Sequence, residues 1–281
     1  MKYMRVKIER AQPLPKPQAS WAVQVEGISK SFPVAGGRVQ ALQDVSLAVR
    51  PGKFVCLVGP SGCGKSTLLA LVAGLERPDR GEVRVWGRPV AGPGPDRVVV
   101  FQEGGLFPWL TVFGNVELGL KAQGVPPRER RERVQAILEV MGLSRFARAY
   151  VHQLSGGMRQ RVALARALVL QPRILLMDEP FAALDAQTRN LLQGELQERW
   201  MATGCTVLFV THSVAEAVRL GDRVVVFTRR PGRVRREVPV DCPRPRGPAE
   251  PRLMEIRAFL LRELKEEVLA QQEEPAYAAV R

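Results

Sequence analysis

The sequence predicts an α/β fold: a mostly parallel sheet flanked by helices, with an antiparallel β subdomain before it and an α-helical subdomain inserted into it. Three patterns point there. Residues 54–58, 174–177, 207–210 and 224–227 are apolar throughout, as suits parallel strands buried on both faces. Residues 23–25, 45–49 and 83–86 instead alternate apolar with polar, the signature of antiparallel strands with one wet face. From about 103 to 171 the pattern turns helical. Pro126 and Pro127 open one helix there and Gly142 closes it.

The 281 residues suffice for one large domain with a substantial core. Residues 1–20, with Pro13, Pro15 and Pro17, read as a flexible tail. The main domain spans 21–236. Beyond it, 237–281 divides into a proline-rich spacer and a helix striped by Leu253, Ile256, Leu260, Leu264 and Val268.

Composition narrows the class. Hydrophobic content of 46% and charged content of 25% suit a soluble globular protein, and no stretch approaches the ~18 apolar residues of a membrane span. The basic N-terminus has no apolar run after it, unlike a secretory signal. A cytoplasmic chain that reaches membranes through a partner is expected. The four cysteines lack CxxC spacing and read as reduced thiols. The net charge of +14 is spread along the chain, and its densest cluster, 128–133, is interrupted by glutamates. That distribution fits acidic lipid headgroups better than a nucleic acid, which is not an expected partner.

Gly59, Pro60, Ser61, Gly62, Cys63, Gly64, Lys65 and Ser66 match G-x-x-x-x-G-K-[ST] between a buried strand and an apolar helix. Glycines let successive N–H groups curl toward phosphate oxygens, and the following helix start favours anions. Lys65 places a compact charge between β- and γ-phosphates, and Ser66 offers a hydroxyl to Mg²⁺. The core is therefore of the P-loop, nucleotide-binding type, and the loop alone, shared by kinases, GTPases and motor ATPases, does not fix the function.

The strand at 174–177 ends in Asp178 and Glu179. Strand C-termini gather at the ligand crevice of such sheets, so Asp178 suits the Mg²⁺ shell and Glu179 a water attacking the γ-phosphate. Ser155, Gly156 and Gly157 open another helix with a bare, capped N-terminus. One chain thus has two anion-binding helix starts but a single lysine loop. A head-to-tail dimer would pair them.

With these motifs in this order, about 23–236 resembles the ABC (ATP-binding cassette) ATPase family. The resemblance makes 59–67, Thr67 included, the Walker A loop, and Asp178 with Glu179 the Walker B pair. It makes Gln102 the glutamine contacting Mg²⁺ and attacking water, and Ser155–Gly157 the signature that completes the partner's ATP site. Ala183, Leu184 and Asp185 resemble the D-loop, His212 the switch histidine, and Phe32 the aromatic that stacks on adenine. Three positions depart from the common pattern. Phe32 stands where tyrosine is frequent. Ser213 replaces an aspartate, which puts the hydrogen bonding around His212 in question. Met158 replaces a glutamine, as in nitrate/sulfonate/taurine importers. Residues 107–112 (FPWLTV) and 228–234 also resemble stretches of those importers.

The resemblance implies an ATPase using ATP and Mg²⁺. It implies a second ATPase subunit, identical in the simplest case, on the cytoplasmic face of the cell membrane. It also implies transmembrane permease subunits and an extracytoplasmic substrate-binding protein. Phe107, Pro108, Trp109 and Leu110 form either ordinary core or a groove for a permease helix. His152 reads as a packing residue, and Pro231–Gly232 as a tight turn with solvated arginines. A soluble ABC ATPase acting on DNA or ribosomes would usually carry a long coiled coil, a zinc insertion or two cassettes, none of which is evident.

Overall fold

A computed structural model describes residues 21–102, 104–247 and 250–273. The expected tail at 1–20 lies outside them, as does the side chain of Val268. An antiparallel sheet is built from β1 (Val23–Val34), β2 (Gly37–Val49), β4 (Arg80–Val85) and β5 (Arg88–Pro89) in the order β2-β1-β4-β5. The second sheet contains β3 (Phe54–Val58), β6 (Arg97–Val100), β7 (Ile174–Asp178), β8 (Thr206–Val210), β9 (Arg223–Phe227) and β10 (Val234–Pro239). Its order is β10-β9-β3-β8-β7-β6, parallel except for β10.

The period of two in a strand explains why the parallel strands are apolar on every residue. Phe54, Cys56 and Val58 join one core with Leu175, Met177, Val207, Phe209, Val224 and Val226. Val55 and Leu57 join a second with Ile174, Leu176, Leu208, Val210, Val225 and Phe227. The second core lies between the two sheets, with α1 (Lys65–Ala73) in it. Leu68, Leu69, Leu71 and Val72 are buried around that helix, which is polar only in its first turn, Lys65, Ser66 and Thr67.

The first core runs into a helical lobe of α2 (Val112–Ala122), α3 (Pro127–Val140) and α4 (Gly156–Leu168). Fully buried Asn115 accepts from Phe107 N–H at 2.8 Å and donates to the Phe107 and Thr111 carbonyls, fastening the loop ahead of α2. Arg166 on α4 donates to the Gly104 and Gly105 carbonyls at 2.7 and 2.8 Å. The loop after Gln102 therefore travels with α4. Two further helices, α5 (Ala186–Thr203) and α6 (Val214–Leu220), cover the sheet before α7 (Pro251–Glu273).

Several boundaries move. α1 begins at Lys65 and ends at Ala73, capped by Gly74 at φ 79°, two residues earlier at each end than the 67–75 suggested by the apolar run. Trp86 leaves β4 at φ +52° and turns the chain, and Phe101 lies past β6 and is exposed. β10 carries the sheet past Arg236 to Pro239. The spacer is no free linker either. Buried Arg246 donates to the carbonyls of Cys242, Val218, Val240 and Gly221, so a charged side chain straps the segment to α6. Leu253, Ile256 and Leu260 then bury α7 in the first core.

Candidate functional site

The C-terminal ends of β3, β6, β7 and β8 point toward one cleft, as expected where strand order in a parallel sheet reverses. Its volume is about 760 Å³. Ser61, Gly62, Cys63, Gly64, Lys65, Ser66 and Thr67 line it after β3, joined by Gln102, Glu179 and His212 from the ends of β6, β7 and β8. Phe32, Val34, Val39 and Ala41 supply an apolar wall from the antiparallel sheet.

The loop's shape is set by close approach. Gly64, at φ +98°, could not hold a Cβ, which would fall 2.6 Å from Leu42 and 2.7 Å from the Ala41 carbonyl. Lys65 is buried, its Nζ donating to the Gly59 and Pro60 carbonyls at 2.9 and 2.8 Å. Cys63 is buried against it at 3.4 Å, and burial pushes the thiol's pKa up despite the lysine.

The Ser66 hydroxyl neighbours the Asp178 carboxyl and favours its charged form. Burial raises the pKa of Asp178, Ser66 opposes the shift, and the charge of Glu179 adds to it. Asp178 Oδ1 is buried with no hydrogen-bond partner among the described residues. An orphaned carboxylate oxygen beside a hydroxyl suits a hard divalent cation. A buried carboxylate with a raised folded-state pKa favours its protonated form. Its stabilising contribution is thus present below the unfolded pKa of about 4 and is lost as pH rises through the folded value. Asp178→Asn is expected to melt at a higher temperature than wild type at pH 8, with the difference shrinking as the pH falls toward 4. Thermal melts across pH, without Mg²⁺, check the sign.

Glu179 sits at φ +45°, a left-handed conformation that costs a non-glycine residue and is kept only where the surroundings hold it. Its N–H is tied to Val210 O at 3.0 Å, and its Oε2 lies 3.1 Å from His212 Nδ1. The histidine loop is held by a group that motif reading does not single out. Buried Glu216 accepts from Thr211 Oγ1 at 2.6 Å, and Thr211 Oγ1 in turn accepts from Ser213 N–H at 3.0 Å. Burial raises the pKa of Glu216, and the Thr211 bond and Arg189 pull it back. Ser213 caps α6 by accepting from Glu216 N–H at 3.4 Å, so the loop is ordered without an aspartate there.

The remaining candidates stand elsewhere. Ser155 caps α4, accepting from Met158 N–H at 3.3 Å, with Gly156 exposed beside it. Asp185 caps α5 through Thr188 N–H at 2.9 Å, a bond that holds its carboxyl below the usual range. Neither they nor Gly157 lines the cleft. Arg230, from the turn after β9, does line it, although its motif reads as a solvated turn.

A lysine-bearing loop, an acid pair at a strand end and a remote capped glycine pair on this double-sheet body define a nucleotide-hydrolysing cassette. Residues 42–182 match the ABC transporter family. The chain belongs to that family as an ATP-binding, ATP-hydrolysing subunit. It is 52% identical over 88% of its length to an uncharacterized ABC transporter ATP-binding protein, MJ0412, of Methanocaldococcus jannaschii, covering 92% of that protein. It is 47% identical over 79% of its length to the nitrate import ATP-binding protein NrtD of Synechocystis, covering 83% of it. The taurine import ATP-binding protein TauB of Pseudomonas aeruginosa is also 47% identical, over 78% of this chain and 83% of TauB. Among solved structures, the dimeric post-hydrolysis cassette MJ0796 bound to ADP and Pi is 35% identical with a TM-score of 0.73. The match covers 78% of this chain and 99% of that one.

Proposed function

We propose that this chain is the energy-coupling subunit of an importer of a small solute, of the nitrate, sulfonate or taurine kind. The phosphate loop, Gln102, Glu179 and His212 line the cleft, while Ser155, Gly156 and Gly157 stand outside it at a separate helix start. That separation carries the reading that two copies pair head to tail, each Ser155 helix start facing the partner's nucleotide.

Lys65 exchanges the Gly59 and Pro60 carbonyls for β- and γ-phosphate oxygens, and Phe32 stacks on the base. Ser66, Asp178 and Gln102 would hold Mg²⁺, which supplies neutralising charge to the phosphates. Glu179 takes up the hydrogen bond of the attacking water. His212, whose Nδ1 faces Glu179, presents the other edge of its ring toward the charge that develops on the γ-phosphoryl oxygens. Asp185, at the start of α5, would face the partner across the dimer seam.

Coupling runs through the helical lobe. Trp109 is 70% exposed, in tilted contact with Phe107 at 5.4 Å. Trp109 with exposed Pro108 and half-buried Leu106, Phe107 and Leu110 forms a contiguous apolar patch, the kind of surface that receives a partner, and a permease helix on the cytoplasmic face fits it. Because Arg166 ties the neighbouring loop to α4, closure at the signature moves the docking patch. A separate binding protein delivers the solute from outside. Reconstitution with the permease and binding protein tests this: the cognate solute should raise ATP turnover several-fold, and Trp109→Ala should abolish that stimulation while basal turnover persists. Turnover indifferent to every solute and to Trp109 would reject the importer reading.

A further inference from the structure

The geometry points to Arg230 as a second cation for the nucleotide's phosphate chain, held in place by Glu267 of α7. This inference rests on the cleft being the ATP site. Arg230 and Lys65 are the permanent cations among the residues lining the cleft, and ATP is a polyanion. Arg230 is exposed and, among the described residues, forms no ion pair, so its charge is available.

The turn that carries it is fixed on three sides. Gly232 N–H donates to Ala41 O at 2.9 Å and Gly232 O accepts from Gln43 N–H at 3.0 Å, pinning the turn to β2. Gly232 also lies against the phosphate loop itself: a Cβ there would fall 1.9 Å from the Cys63 carbonyl. Only glycine permits this approach. Within the turn, Thr228 N–H bonds Arg233 O at 3.0 Å, and Thr228 Oγ1 accepts from Arg233 N–H at 3.0 Å. The third side is α7. Glu267 is 7% exposed and accepts from Arg229 N–H at 3.0 Å through one oxygen, while the other pairs with Arg235. Arg235 also binds Glu263 at 3.0 Å.

The buried Glu267 carboxylate, charge-balanced by Arg235 through one oxygen, uses the other to tie the backbone N–H beside Arg230 to α7. It gives α7 a role beyond packing. The helix braces the turn that aims Arg230 at the cleft, 37 residues along the chain from that arginine. Glu267 is thus a positioning residue, and Arg230 touches the ligand.

The test is equilibrium binding of ATP and GTP to the full-length chain without Mg²⁺, at low and high salt. Arg230→Gln should weaken both nucleotides about 10-fold at low salt, as loss of a charge-assisted contact does, and less at high salt because the group is exposed. Arg230→Lys should recover part of the loss. Glu267→Gln should weaken binding about 3-fold in the otherwise unchanged chain, and not at all further in Arg230→Gln. That non-additivity is what mere destabilisation would not produce. Lys65→Ala separates the failures. If it destroys binding while Arg230→Gln leaves it unchanged, the arginine's role is overturned and the ATP site stands. If neither matters, the cleft is not the ATP site. Weakening of ATP alone, with GTP untouched, would make Arg230 a base contact and overturn the phosphate assignment. Additive losses would overturn the brace.

Discussion

Glu179→Gln is expected to bind ATP as tightly as wild type and to turn it over about 10²–10⁴-fold more slowly, the range lost with a positioned general base. The substitution keeps the shape and the hydrogen-bonding reach toward His212 but removes the carboxylate that polarises water. Its backbone at φ +45° is retained, because the Val210 bond and not the side chain holds it. Single-turnover rates and ATP affinity should be measured on the same preparation. Equal loss of binding and turnover would mean that Glu179 supports the loop's shape and not the chemistry.

Gly156→Asp is expected to have the second largest effect, and its logic is reversed. Within its own chain the substitution is harmless: a Cβ at Gly156 meets nothing closer than an Arg159 nitrogen at 4.0 Å. Position 156 is the first residue of α4, where a carboxylate is favoured by the helix dipole by about 0.3–1 kcal/mol. The folded monomer should therefore be unharmed, and its own cleft should bind ATP normally. Facing the partner's γ-phosphate, the same carboxylate repels the anion and obstructs the N–H groups. Turnover should fall about 10²–10³-fold, the scale of losing preorganised donors to a transition-state oxyanion. A thermal melt, ATP affinity and turnover, measured together, distinguish damage across the seam from damage within the chain.

Much of this was readable from residue order because the relevant signals are local. All-apolar strands report burial on both faces. The phosphate loop needs glycine at positions where a Cβ would strike Leu42 or Phe227. The paired carboxylates sit at the strand end that the topology brings to the crevice. What escaped reading depends on contacts between distant segments. Arg230 looks like a solvated turn residue until Gly232 is seen against Cys63, on a loop more than 150 residues earlier. Glu216 lies in the first turn of a short helix, as a solvated capping glutamate would, and becomes a buried partner of Thr211 through packing. Arg246 sits in a proline-rich stretch that reads as spacer, and four backbone carbonyls from separate segments turn it into a strap. Trp86 shows the opposite error, in which alternation continues one residue past the strand because a positive-φ turn leaves no mark on hydropathy.

Turnover per chain, followed as the protein is diluted with Mg-ATP in excess and its mass measured in parallel, tests the shared site most directly. Specific activity should fall in step with the dimer fraction, reaching the level of Gly156→Asp when only single chains remain. Full activity per chain in a sample shown to be monomeric, unchanged by Gly156→Asp, would contradict it.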